Sequence, residues 1–216
     1  MTADALADGN AGPRIPMFDP ASMTEEQARI YRDIVNGPRG RLVGPLRAVL
    51  HLPQLADHWQ RMGEFLRYRS SLPKTVVELA ILVTARRWNS QVEWCIHARE
   101  AATAGLPREM IEAIRRGLAP HFTDTAEADV YEFARQLQHR GDVEDALYGR
   151  LHARWGTTGL VTLTSIIGYY TMVSMTLNVH AVPMPDDNEE ALLSPPGSGS
   201  LTDMPPRAAP QAETGR

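Results

Sequence analysis

Apolar residues recur along the chain at steps of three and four, and no convincing run of alternating apolar and polar positions interrupts them. The first such segment opens with Thr24-Glu25-Glu26-Gln27. There the threonine hydroxyl can accept the third amide proton while Gln27 reaches back, a capping box that predicts a helix to about Asn36. Gly37 to Gly44 breaks the pattern, and Pro45 starts a short helix. Pro53 starts another, with Leu55, Trp59, Met62, Phe65 and Leu66 on one stripe at helical spacing. Pro73 opens a helix over about Lys74 to Trp88 that is apolar at Val76, Val77 and from Leu79 to Val83, with Glu78 in its middle. Asn89 suits the cap of the next, which runs to Ala104 and stops at Gly105. Further helices are expected at Arg108 to Arg116, Thr125 to His139, Val143 to Trp155 and Thr157 to Leu177. The fold class is all-α, a compact helical bundle, and no repeat at the periods of a solenoid is visible.

At 216 residues the chain is long enough for one helical domain, expected over 15–185. Residues 1–14 read as a flexible N-terminal segment, and 186–216 as a flexible acidic tail rich in proline. Charge sharpens this division. Six of the 26 acidic residues and two of the 22 basic ones lie after Val182, so the body carries twenty of each. A balanced body without a lysine or arginine run lacks the footprint of a nucleic-acid binder or a polybasic membrane patch, so neither partner is expected.

The single cysteine, Cys95, has no internal disulfide partner, and the start lacks a basic segment followed by an apolar run. The expected location is cytoplasmic. Residues 156–179 hold no charge and are long enough to span a bilayer, but their many hydroxyl groups suit a buried helix of a soluble oligomer better.

Candidate chemistry gathers on two neighbouring helices. Glu78, surrounded by apolar residues, cannot easily avoid the interior. Burial would raise its pKa and make it a general acid or base, unless a cation such as Arg86 or Arg87 pairs with it. On the next helix Ser90, Glu93, His97 and Glu100 follow at steps of three, four and three, which puts all four on one face. A carboxylate one turn from an imidazole holds its tautomer and raises its basicity, as proton transfer requires. Lys74, at the exposed-looking start of its helix, is a poor candidate for Schiff-base chemistry. No phosphate loop is present, the other histidines form no close pair at ligand spacing, and no metal or other cofactor is expected.

Taken together, the two helices resemble the alkyl hydroperoxidase D and 4-carboxymuconolactone decarboxylase superfamily. The peroxidase branch carries a glutamate, eleven residues, Cys-x-x-Cys, three residues and a histidine. Here Glu78, Ser90, Glu93 and His97 keep every interval, with serine and glutamate in place of the redox cysteines. The glutamate and histidine that remain are similar to the decarboxylase branch. So are Gly40-Arg41-Leu42-Val43-Gly44-Pro45, Ala104-Gly105-Leu106-Pro107, Gly168-Tyr169-Tyr170-Thr171-Met172 and Leu177-Asn178-Val179.

The resemblance implies an all-helical homo-oligomer, a trimer or hexamer. It also implies a cofactor-independent lyase or isomerase acting on a small carboxylate or lactone. Glu78, His97 and Glu93 would carry the catalysis. Arg41, Arg86 or Arg87 would hold a substrate carboxylate beside Ser90, while Tyr170 and Asn178 would polarise a lactone carbonyl. Two alternatives stand beside it: a thiol-dependent alkyl hydroperoxidase-like antioxidant protein, and a non-catalytic oligomeric binding protein of the same fold.

Overall fold

The computed structural model describes residues 12–184, 192 and 201–207. Among them the chain forms eight α-helices and no strand: α1 (Glu25–Asn36), α2 (Leu46–Val49), α3 (Pro53–Tyr68), α4 (Lys74–Arg87), α5 (Gln91–Ala104), α6 (Arg108–Arg115), α7 (Thr125–Arg140) and α8 (Asp145–His180). The all-α class follows. At α1 the capping box forms as the sequence predicts, with Gln27 N–H donating to Thr24 Oγ1 at 3.3 Å and Thr24 N–H to Gln27 Oε1 at 3.0 Å.

α4 is the centre of the bundle. It packs against α5, α6, α7 and α8, and every residue from Val76 to Arg86 is buried. A helix apolar all round is stable only when covered on all sides. Here its neighbours supply that cover through Trp94, Ile114, Tyr131, Leu163 and Ile166, all fully buried.

Several local expectations are corrected. On α3 the apolar stripe is not buried as a unit: Trp59 and Leu66 face inward with Ala56 and Gly63, while Leu55, Met62 and Phe65 are exposed. The cap of α5 is Ser90, not Asn89, which takes the left-handed conformation (φ 50°) and turns the chain from α4 into α5. The two helices expected on either side of Gly156, by contrast, are both present and meet at a break at that glycine within α8.

The expected loose ends are described only in part. Residues 1–11, 185–191, 193–200 and 208–216 lie outside the described residues. Within the N-terminal segment, Arg14 N–H donates to the His180 carbonyl at 3.0 Å and ties the chain to the end of α8. Within the tail, 201–207 packs on α4 and α7. Thr202 N–H donates to the Arg87 carbonyl at 2.8 Å, Tyr131 Oη donates to the Pro205 carbonyl at 2.7 Å, and Met204 is buried. The tail satisfies a carbonyl that the last turn of α4 leaves open.

By length and composition α8 would cross a membrane, yet half of its most apolar window is buried inside the protein. Gly156, at φ 63° and ψ −173°, interrupts its helical geometry. That backbone region is accessible almost only to glycine, and an added Cβ would meet nothing within 4 Å. Gly156→Ala therefore introduces strain without a clash. It is expected to lower unfolding free energy by about 1–3 kcal/mol in urea denaturation, with an unchanged slope; an unchanged midpoint refutes this.

Candidate active site

The buried face between α4 and α5 carries a continuous line of charge. Lys74 Nζ lies 2.6 Å from Glu78 Oε1 one turn along α4. Glu78 Oε2 lies 2.7 Å from His97 Nδ1 on α5. The other imidazole nitrogen, Nε2, is 3.2 Å from Glu93 Oε2, at ion-pair distance but off the angle of a hydrogen bond. With Nδ1–H donated to Glu78, Nε2 faces Glu93.

Burial opposes charge on both central groups, and the pairing outweighs it. For Glu78, desolvation alone would raise the pKa, but His97 and Lys74 hold it well below the usual carboxylate range. For His97, desolvation alone would lower the pKa, but Glu78 and then Glu93 raise it above the ordinary histidine value. The expectation that burial makes Glu78 a near-neutral acid or base is thus corrected. Glu78 is a fixed carboxylate, and its partners are Lys74 and His97 rather than Arg86 or Arg87.

Glu93 and His97 line a cavity of about 40 Å³ shared with Arg67 and Gly63 of α3, Tyr169 and Tyr170 of α8, and Arg39, Gly44 and Pro45 from the loop before α2. Tyr170 sets its ring edge-to-face against His97, with centroids 4.9 Å apart. Burial, followed by the neighbouring Glu93, raises the Tyr170 phenol well above its usual pKa, so it remains a protonated donor. Gly44, in the left-handed region at φ 55°, brings backbone beside Glu93: a Cβ there would stand 3.6 Å from Oε1.

The structure thus brings together Glu78, His97, Glu93 and Tyr170. Ser90 is fully buried and its hydroxyl has no partner, but it does not line the cavity. Three other expected site residues are turned elsewhere. Arg86 bonds Asn89 and, at 2.8 Å, Thr202 Oγ1. Asn178 Nδ2 donates to the Trp88 carbonyl at 2.8 Å, serving the end of α4. Arg41 is exposed and outside the cavity lining.

Sequence reasoning missed Lys74 as a partner, although its four-residue step to Glu78 was visible. It also missed Arg39, Arg67 and Tyr169. No spacing links those three, because they converge from α3, α8 and a loop.

Residues 53–136, from the start of α3 into α7, match the carboxymuconolactone decarboxylase family. No curated protein matches the chain. Two solved structures share the fold. One is the alkylhydroperoxidase AhpD core of an uncharacterized peroxidase-related protein from Ralstonia eutropha JMP134, with 13% identity, TM-score 0.66, and coverage of 81% of this chain and 93% of that one. The other is an uncharacterized peroxidase-related protein from Silicibacter sp. TM1040, with 14% identity, TM-score 0.67, and coverage of 84% and 96%.

Because the folded His97 pKa is raised, its contribution to stability is fully present below the unfolded value of about 6.5 and is lost as pH rises through the folded one. For Glu78 the order reverses, with stability present above the ordinary carboxylate pKa and lost as pH falls toward the depressed one. Glu78→Gln removes the main source of the His97 shift. His97 should then titrate at lower pH than in wild type, read from imidazole nitrogen NMR; an equal midpoint in both proteins assigns the shift elsewhere.

Proposed function

We propose that this chain, a member of the carboxymuconolactone decarboxylase-like, AhpD-like family through its residues 53–136, is a cofactor-independent acid–base enzyme. Its substrate is a small lactone or keto acid, and its reaction is decarboxylation or isomerisation. One observation carries the reading: His97, hydrogen-bonded to a buried carboxylate through Nδ1, turns Nε2 toward Glu93 at a cavity. Its raised pKa favours the imidazolium near neutrality, and so the role of general acid.

In a decarboxylation the bond between the carboxylate carbon and its neighbour breaks, and the electron pair moves into the conjugated carbonyl system. Tyr170 is placed to donate to that oxygen. Carbon dioxide leaves, and the carbon that inherits the electrons takes the Nε2 proton of His97. Glu93 steadies the imidazolium before transfer, and Glu78 keeps Nδ1 protonated afterwards. In an isomerisation the same pair removes and returns a proton.

The thiol-dependent reading is weaker, because the redox pair is replaced by Ser90 and Glu93 and the one cysteine, Cys95, is buried. A scaffold reading is weaker too, since Glu78 and His97 meet directly in the interior.

The test is incubation of the full chain with 4-carboxymuconolactone, with and without chelator and thiol reductant, following carbon dioxide release. Turnover indifferent to both additives and to Cys95→Ser is expected. His97→Gln should lower kcat by roughly a hundred- to ten-thousand-fold, with Glu93→Gln also impaired. In wild type, activity should fall as pH rises through the raised His97 pKa. Full activity in both variants ends the acid–base reading.

The protein is further proposed to act in the cytoplasm as a trimer or hexamer. Exposed apolar faces on α3 (Leu55, Met62, Phe65) and α8 (Val161, Met172, Met175, Val179) support self-association. Light scattering should find an oligomer that Met172→Glu with Met175→Glu dissociates; a monomeric wild-type protein refutes this.

A further inference from the structure

The acid–base reading uses Glu93, His97 and Tyr170 and leaves the two guanidinium groups of the same cavity, Arg67 and Arg39, without a role. Arg67 comes from the last two turns of α3, and its side chain is only 12% exposed. One terminal nitrogen lies 3.2 Å from Glu100 Oε1, while its Nε–H is buried with no acceptor. A buried guanidinium donor without a partner is uncommon and costly. It is the donor that an incoming anion would satisfy.

Arg39 reaches the cavity because residue 63 has no side chain. A Cβ on Gly63 would stand 2.6 Å from Arg39 Nη2 and 2.2 Å from Tyr169 Oη. Those tips therefore occupy the space that any other residue at 63 would fill.

Charge points the same way. The carboxylates of Glu78, Glu93 and Glu100 are matched in number by Lys74, Arg67 and Arg39. Protonation of His97 then leaves the cluster with one positive charge in excess. A monoanion completes the balance, and Glu93 repels it toward the guanidinium side. The cavity of about 40 Å³ exceeds the roughly 10–15 Å³ needed to hold one water, so it has room for a carboxylate-sized group.

We infer that Arg67 and Arg39 form the subsite that holds the substrate's carboxylate, with Gly63 as a positioning residue, in place of Arg41 and Arg86. The ligand class is a small molecule that presents a single carboxylate to the cavity. This rests on the acid–base reading for calling the anion a substrate, but not for the binding itself.

The experiment titrates acetate, and acetamide as a neutral molecule of similar size, into the full chain at constant ionic strength, following the His97 imidazole signals. Acetate should shift them saturably and acetamide should not. Arg67→Met and Arg39→Met should each weaken acetate binding by roughly tenfold or more, the loss expected for a hydrogen bond to a charged group. Gly63→Ala should weaken it by displacing Arg39 and Tyr169.

The imidazole proton shared between His97 and Glu78 reports on folding. Should Arg67→Met lose that signal, Arg39→Met and Gly63→Ala still decide the matter. Acetate binding no tighter than acetamide, or unchanged affinity in the folded variants, overturns the subsite. Turnover separates the two readings. Carbon dioxide release with unchanged KM in Arg67→Met and Arg39→Met removes the subsite and leaves the acid–base chemistry. Acetate binding that depends on both arginines, without turnover, supports the subsite and ends the decarboxylase reading.

Discussion

A carboxylate in the middle of a helix that is covered on every side is the constraint around which the site is organised. Glu78 has no exposed surface, and α4 cannot turn it outward without exposing its apolar neighbours. An ionised carboxylate in such a place must be paired, and removing one partner of a buried pair typically costs about 3–5 kcal/mol. Lys74 meets one oxygen by an (i, i+4) step, its own side chain still partly in water. The other oxygen needs a donor from outside the helix. His97 of α5 supplies it, which ties the register of α5 to Glu78. The tight α4–α5 connection, with Asn89 in the left-handed region, makes the turn between the two helices.

The two ends of α4 divide their labour. Its first turn gives Lys74 to the site. Its last turn, where cations also suit the helix dipole, gives Arg86 and Arg87 to Thr202 and Asp203 in the returning tail. Arg86 is buried at this end, and burial lowers its pKa. Hydrogen bonds to Asn89 and Thr202 compensate the loss of water. Asn178 helps at the same end through the Trp88 carbonyl. Arg86 and Arg87 are held by side chains of the α4–α5 connection and the tail, and Asn178 by a carbonyl at the helix end, which is why they are not available to the cavity.

What could be read from the sequence follows from range. The capping box, the helix order and the single face shared by Glu93 and His97 depend on neighbours within a turn or two, and local spacing encodes them. Glu78 stood out because a carboxylate inside an apolar run has few ways to be stable. Pairing of Glu78 with His97 spans two helices and was reachable only through the family resemblance. Arg39, Arg67 and Tyr169 meet through the packing of α3 against α8 and a loop, with Gly63 making the room, and no periodicity carries that information. The face of α3 departs from its pattern for a related reason: Leu55, Met62 and Phe65 have the spacing of a core stripe, yet this chain alone does not cover them. Tail residues 201–207 were read from composition, which misses a segment held by a few specific hydrogen bonds.

Ser90 and Glu93 stand where the motif that the two helices resemble has a thiol pair, and that difference bears on the chemistry. A buried imidazole beside a thiol can activate it as a nucleophile by taking its proton. Beside a carboxylate the imidazole instead gains a second anion, and its charged form is favoured rather than consumed. Glu78 raises the His97 pKa against desolvation, and Glu93 adds to that and stands at the cavity. Two carboxylates sharing one imidazole would be costly if the imidazole were neutral, since Glu93 would then lack a charged partner in the interior. Lys74, Arg67 and Arg39 lessen that cost from their side of the cluster. The arrangement therefore favours the charged imidazole between two carboxylates, which is the ground on which acid–base chemistry rather than disulfide exchange is proposed.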